Sequence, residues 1–249
     1  MIITGGHFTS GIQLTKGYIS NIPSIVTANL YANYDAATGI SNNTFLDSSG
    51  NGRNATIYNS PANVTVNGTR VLELSSASSQ FFGDTNTYGA DLDDAFTFDV
   101  WCSPTSASTA GTLIAEWSDG SWASGWQDNQ MGFTAGSINC GVYNTGYAEA
   151  KATWTANTWY HIVMTYDGSI MRTYVDGVAG GTTSGAKESP SNYGYPGTGL
   201  SMGKPCADYL NGVEDYFNGY IGAWKIYDRA LTAEEVLQNY QALLSRYTD

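Results

Sequence analysis

From Ile25 to Tyr227 the chain is written as short alternating segments cut by turn residues at near-even spacing. That rhythm restricts it to an antiparallel β architecture. In "AFTFDVWCSP" Phe96, Phe98, Val100 and Cys102 alternate with Thr97, Asp99 and Trp101, so one side of this strand is expected to face a core. "TWYHIVMTYDGSIMRTYVDGV" reads as two strands joined at Asp167-Gly168, a strong hairpin signal, with a second turn at Asp176-Gly177. Only the last segment has helical period. Thr232-x-x-Glu235 forms a capping box, and Val236, Leu237, Tyr240, Leu243, Leu244 and Tyr247 fall on one apolar stripe, which predicts a helix over about 233–246. Just before it, "GYIGAWKIY" (219–227) alternates as a strand, with Tyr220, Gly222, Trp224 and Ile226 opposite Ile221, Ala223, Lys225 and Tyr227. No βαβ rhythm, internal repeat or second domain is visible.

Composition narrows the partners. The 249 residues carry a net charge of −12 with only 13% charged side chains. Such a surface repels phosphate backbones, so nucleic acid is not an expected partner. No apolar run approaches the length of a membrane span, and the N-terminus lacks a basic start followed by an apolar stretch. The odd set Cys102, Cys140 and Cys206 suits a reducing compartment better than a disulfide scaffold, with Cys102 expected as a small buried hydrophobe.

Residues 1–24 differ from the rest. They are rich in Gly, Ser and Ile, contain no acidic residue and read as an extended arm ending near Pro23. Ile2, Ile3, Phe8, Ile12, Leu14 and Ile19 are its candidate anchor residues. Residues 25–249 form the domain proper.

Four stretches taken in order, "DSSGNGRNATI" (47–57), "FTFDVWCSP" (96–104), "TWYHIVMTYDGSIMRTYVDG" (158–177) and "GYIGAWKIYDRALTAEEV" (219–236), resemble the concanavalin A-like lectin/glucanase superfamily in its laminin G-like branch. The resemblance implies an all-β, two-sheet antiparallel jelly-roll sandwich, with the last strand beside the first and one C-terminal α-helix packed outside. The arm followed by "IPSIVTANLYANYDA" and "LDSSGNGRNATIYNSP" resembles laminin G-like proteins of tailed-bacteriophage virions. It implies a virion structural protein, a capsid decoration or a tail or fibre component, made in the host cytoplasm and exposed on the virion surface. Its expected partners are other virion proteins, held through the arm, and host-surface glycans. A stand-alone carbohydrate-binding protein is the alternative reading, and a glycoside hydrolase the third.

Candidate sites follow. Glucanases of the superfamily set paired carboxylates in a Glu-x-Asp-x-x-Glu run, because two carboxyls must flank a glycosidic bond. This chain has no such run. Glu116 and Asp119 in "EWSDG" fall on opposite strand faces or in a turn, so the protein is read as non-catalytic. His161, in "WYHIV", is expected as a core or sheet-surface residue. Laminin G-like domains often hold a structural Ca2+ at a sandwich edge. Asp47 and Asn51 offer a carboxylate and an amide oxygen for one, while a plain Asx turn with glycines is the alternative and the favoured reading. Trp122 and Trp126 with Asp119, Asp128 and Asn129, and separately Tyr193 and Tyr195, are candidates for loop packing, protein contact or glycan contact.

Overall fold

The computed structural model describes residues 12–15, 18–84, 92, 94–106, 111–117, 129–134, 136–142, 145–186, 199–205 and 215–248. The arm contributes β1 (Ile12–Thr15) and β2 (Tyr18–Asn21). The domain continues through β3 (Leu30–Asp35), β4 (Ile40–Ser41), β5 (Thr44–Phe45), β6 (Ala55–Tyr58), β7 (Ala62–Val66), β8 (Thr69–Leu74) and β9 (Phe81–Asp84). Then come β10 (Phe96–Pro104), β11 (Gly111–Trp117), β12 (Asn129–Phe133), β13 (Ile138–Val142) and β14 (Gly146–Lys151). The chain closes with β15 (Tyr160–Tyr166), β16 (Ile170–Val175), β17 (Val178–Ser184), β18 (Gly199–Met202), β19 (Gly219–Tyr227) and the helix α1 (Ala233–Thr248).

Two antiparallel sheets make the sandwich. One runs β17-β16-β15-β10-β19-β8-β7, with β3 also on β19; the other runs β14-β13-β12-β11-β18-β9-β6-β5-β4. The last strand does sit beside the first strand of the domain: the C-terminal half of β19 pairs with β3, from Ala223↔Asp35 to Tyr227↔Leu30, while its N-terminal half pairs with β8. The core between the sheets is aromatic and aliphatic. Phe82, Phe98, Val100, Phe133, Ile162, Trp224 and Ile226 all belong to it. The turns at Asp167-Gly168 and Asp176-Gly177 link β15 to β16 and β16 to β17, with Gly168, Asp176 and Gly177 in the left-handed region that such tight turns require.

Within the arm, β1 pairs with β2 in register Ile12↔Asn21 to Thr15↔Tyr18, as a two-stranded sheet that among the described residues is separate from the other two. Two expectations are corrected. Strict alternation along β19 fails. Pairing with β10 steps from Trp101↔Ala223 to Cys102↔Ile221, which leaves Gly222 as an inserted residue. The bulge switches phase, so Ile221, Trp224 and Ile226 all reach the core. A glycine is required there because a Cβ on Gly222 would clash with the buried Tyr247 ring. Finally, Leu237 is 41% exposed, whereas the helix buries Val236, Asn239, Leu243 and Tyr247.

The buried asparagine belongs to a polar layer beneath α1. Phe96, Phe98, Val100 and Cys102 face the sandwich core, as their alternation implies, yet Thr97, Asp99 and Trp101 are buried too because the helix covers them. Asp99 Oδ1 accepts from Lys225 Nζ at 2.8 Å and lies 3.1 Å from His161 Nε2; Asp99 Oδ2 accepts from Asn239 Nδ2 at 2.8 Å. Asn239 Nδ2 also donates to Tyr227 Oη, Tyr227 Oη donates to the Val26 carbonyl, and the Val26 amide donates back to Asn239 Oδ1. Burial pushes the Asp99 carboxyl up, but Lys225 and His161 outweigh it and hold it well below the usual range. The capping box forms as expected: the Thr232 amide donates to Glu235 Oε2 and the Glu235 amide donates to Thr232 Oγ1.

Asp99→Ala leaves the Lys225 ammonium buried without its partner. It is expected to cost about 3–5 kcal/mol in guanidinium unfolding, and the paired change Asp99→Leu/Lys225→Met to recover most of that loss. Equal damage from both variants would refute this account of the layer.

Candidate binding surface

Beyond the register shift in β11, Ile114 joins the main core while Ala115 and Trp117 form a separate cluster. Trp117 Nε1 donates to Ser201 Oγ at 2.7 Å, and Ser201 Oγ donates to the Lys204 carbonyl. The Lys204 side chain returns over this surface. Its Nζ lies 5.0 Å from the Trp117 ring centre, 5.1 Å from Tyr216 and 5.5 Å from Phe81, and donates to Tyr216 Oη at 3.0 Å. Phe81 stacks in turn on Tyr58, with ring centres 4.4 Å apart. The result is an aromatic wall around one cation.

Two segments singled out by their sequence, and residues 206–214, share this root. Residues 118–128 leave directly after Trp117. Residues 187–198 end at Gly199, which pairs with Trp117, and residues 206–214 run between Pro205 and Asp215, next to Lys204 and Tyr216. Tyr216 is in turn bridged to Thr112 of β11. Trp122, Trp126, Asp119, Asp128, Tyr193 and Tyr195 themselves lie outside the described residues, as do the anchor residues Ile2, Ile3 and Phe8. Asn129 opens β12 opposite Val142, and Ile12, Leu14 and Ile19 sit on the arm hairpin. Sequence reasoning missed Lys204, Tyr216, Phe81 and Tyr58, because they come from four separate segments that only the sheet brings together.

Of the hydrolase candidates, Glu116 is buried in β11 opposite Leu200. His161 is fully buried beneath the helix, as a core residue. Cys102 and Cys140 are free and buried, and burial pushes both thiols well up, away from the thiolate form.

The Asp47 loop has a different logic. Asp47 Oδ1 accepts from the Asn33 and Ser49 amides at 2.9 and 2.8 Å; Oδ2 accepts from Ser49 Oγ and the Arg53 amide at 2.7 and 3.0 Å. Asn51 Nδ2 donates to the Leu30 and Tyr31 carbonyls. In this orientation Asp47 and Asn51 do not fit a Ca2+ site, since Asp47 already accepts four hydrogen bonds and Asn51 turns its donor to the carbonyls a cation would seek. No group of three or more His, Cys, Asp or Glu side chains with metal-binding geometry occurs among the described residues. Partial burial pushes the Asp47 carboxyl up, but the hydrogen bonds from Ser49, Asn33 and Arg53 prevail and lower it.

Residues 75–237 match the laminin G family model described as the concanavalin A-like lectin/glucanases superfamily. No curated protein matches the sequence. Among solved structures, the chain is similar to domain 4 of AbnA, an extracellular arabinanase of Geobacillus stearothermophilus, in complex with arabinotriose. Identity is 16% and the TM-score 0.60, with 85% of this chain and 98% of that one covered. It is also similar to the binding domain of botulinum neurotoxin DC in complex with SialylT, at 12% identity and a TM-score of 0.61, covering 88% of this chain and 52% of the other. The same toxin domain in complex with rat synaptotagmin II gives 11% identity and a TM-score of 0.61, covering 87% and 52%. The chain thus spans about half the length of those toxin domains.

Asp47→Ala removes the acceptor that organises the loop and is expected to cost about 1–3 kcal/mol near neutral pH. Because the folded pKa is lowered from 3.8, that contribution is present above about pH 4 and fades as pH falls through the folded value. Melting of both proteins between pH 7 and pH 2 checks this, since their difference must shrink on acidification. A rise in wild-type melting temperature with Ca2+, reversed by EDTA, would show instead that Asp47 turns to a cation.

Proposed function

We propose, from the premise that this chain belongs to the concanavalin A-like lectin/glucanase superfamily, that it is a non-catalytic bacteriophage virion protein. It decorates a capsid or forms part of a tail or fibre, is anchored by residues 1–24, and presents its lectin-like face to host-surface glycans. The observation that carries this reading is the shared root of segments 118–128, 187–198 and 206–214 around Trp117, Lys204 and Tyr216. In sequence the first two segments carry Trp122, Trp126, Asp119, Asp128, Tyr193 and Tyr195, and Asn129 follows at the start of β12. Flat apolar faces beside hydrogen-bonding amides and carboxylates suit sugars, which present both C–H faces and hydroxyls. The arabinotriose and SialylT held by the two structural neighbours support a glycan as the ligand class. The absence of a Glu-x-Asp-x-x-Glu run in the sequence supports binding without turnover.

The arm suits anchoring for a structural reason. Among the described residues its hairpin is paired with neither sheet of the sandwich, which suits strands that add to a neighbour's sheet edge. The anchored reading is preferred to the stand-alone lectin on that ground.

Glycan-array binding by the full chain tests the first half: Trp122→Ala/Trp126→Ala should weaken it at least tenfold. Sedimentation with virions tests the second, where a chain lacking residues 1–24 should stay in the supernatant yet still bind glycan. Release of reducing sugar from a bound glycan would replace this reading with a hydrolase. Equal co-sedimentation with and without the arm would remove its anchoring role.

A further inference from the structure

An unpaired sheet edge is a row of free backbone donors and acceptors, so edges show where a β protein can meet another chain. In this sandwich the outer edges of β17, β14, β3 and β4 are each guarded. Gly180 and Gly181 of β17 press so closely on the Ala150 and Glu149 backbone of β14 that neither has room for a Cβ, and Thr183 Oγ1 donates to the Thr145 carbonyl. β14 also carries the charges of Glu149 and Lys151. The Asp47 loop covers β3 through the Tyr34–Asp47 bridge, the Ser48 amide on the Asn33 carbonyl, and Asn51 on the Leu30 and Tyr31 carbonyls. β4 is 2 residues long.

β7 has none of these protections. Its residues Ala62, Asn63, Val64, Thr65 and Val66 include no charge and no proline, and its ladder with β8 runs without a bulge. No residue between Arg53 and Arg70 is charged. Among the described residues, β8 is the one strand that pairs with it.

The turn sets the hydrogen-bond phase of this edge. Asn67 and Gly68, at φ of 48° and 79°, make a two-residue loop, which places Val66 and Thr69 in a hydrogen-bonded pair. Alternation then turns the backbone groups of Ala62, Val64 and Val66 toward β8 and those of Asn63 and Thr65 outward. The Asn63 side-chain amide lies back on β8, between Arg70 and the Val71 carbonyl. The strand is also held in place. Val64 and Val66 pack on the cluster of Val71, Trp101, Leu243 and Tyr247, and Thr69 Oγ1 donates to the Arg246 carbonyl at 2.9 Å. An incoming strand would meet a template that is already ordered.

Charge selects the partner. Two copies of a chain of net charge −12 repel each other over most of their surface, so they meet closely along an uncharged stretch. β7 is such a stretch, and it is complementary to itself. With two copies antiparallel about a two-fold axis at Val64, Asn63 faces Thr65 of the second copy and Thr65 faces Asn63 of the second copy. The outward N–H and C=O groups of both residues are then paired on both strands. Pro61, which has no N–H, ends the ladder.

We propose that β7 is a self-association edge, through which two copies of this chain pair β7 with β7 about a two-fold axis at Val64 and join their sheets into one. The dimer is closed, because each copy uses the edge it leaves open. The pairing involves neither the arm nor the residues around Trp117, so it goes beyond the function proposed above and the two can fail separately.

Sedimentation velocity of the full chain over a hundredfold range of concentration tests this, together with hydrogen exchange read at single amides. The expected result is a monomer–dimer equilibrium in which the Asn63 and Thr65 amides exchange at least tenfold more slowly in the dimer. Two double variants probe the register. Asn63→Lys/Thr65→Glu sets opposite charges face to face and should tighten the dimer at least twofold. Asn63→Lys/Thr65→Lys sets like charges face to face and should leave a monomer at the same concentrations. The exchange result on the unaltered chain stands whatever the stability of the variants. The proposal is overturned if the chain is monomeric up to its solubility limit, or if it grows beyond a dimer. It is equally overturned if the dimer leaves these two amides unprotected, if another segment already protects them in the monomer, or if both double variants associate as the unaltered chain does.

Discussion

The buried contact between Asp99 and Lys225 is the point on which the rest of the structure depends. It joins β10 to β19 at the centre of one sheet, and through Asn239 it fixes α1 on that sheet's outer face. Two charges beneath a helix are costly unless every lone pair is used. Here Asn239 links the Asp99 carboxylate to Tyr227 and the Val26 backbone, so the bonds that hold the charge also fix where the domain's first residues enter. An apolar layer could supply comparable stability, but it would not set the helix's rotation or the path of Val26 so narrowly.

From that layer the geometry extends along β19. The strand serves β10 on one side and both β8 and β3 on the other, which makes it the hub of its sheet. The Gly222 bulge lets Tyr247 lie against the strand, where it packs with Trp101 and Trp159. The turn after β19 belongs to the same unit. Arg229 pairs with Glu235 through two bonds of 2.7 and 2.8 Å, and Thr97 Oγ1 accepts from the Leu231 amide. The Tyr-x-Arg-Ala-Leu motif is thus a clamp among the last strand, the helix and β10.

The proposed binding surface lies on the opposite sheet. A rigid sandwich lets loops vary without loss of the core, and contact residues therefore gather at strand ends. Lys204 and its three aromatic neighbours join the roots of several such loops on the nine-stranded sheet. The Asp47 loop instead lies against the start of β3 and orients Arg53 through its own backbone. The two regions are organised by different means, one by cation–π packing and one by a carboxylate that gathers amides.

The sequence by itself determined the strand-rich sandwich, the Asp167-Gly168 and Asp176-Gly177 turns, the inward set Phe96, Phe98, Val100 and Cys102, and the capped terminal helix. These features are local: periodicity two, a positive-φ pair and a capping box each act within a few residues. Only the tertiary structure decided what lies on the second face of β10, because burial of Asp99 depends on a helix 140 residues away. It decided the phase of β19 through a single inserted glycine, and it turned part of the arm into a hairpin. It also decided that Asp47 serves amides, and that Lys204, Tyr216, Phe81 and Trp117 meet. Neither follows from spacing, since long-range partners are chosen by sheet register and not by neighbours along the chain.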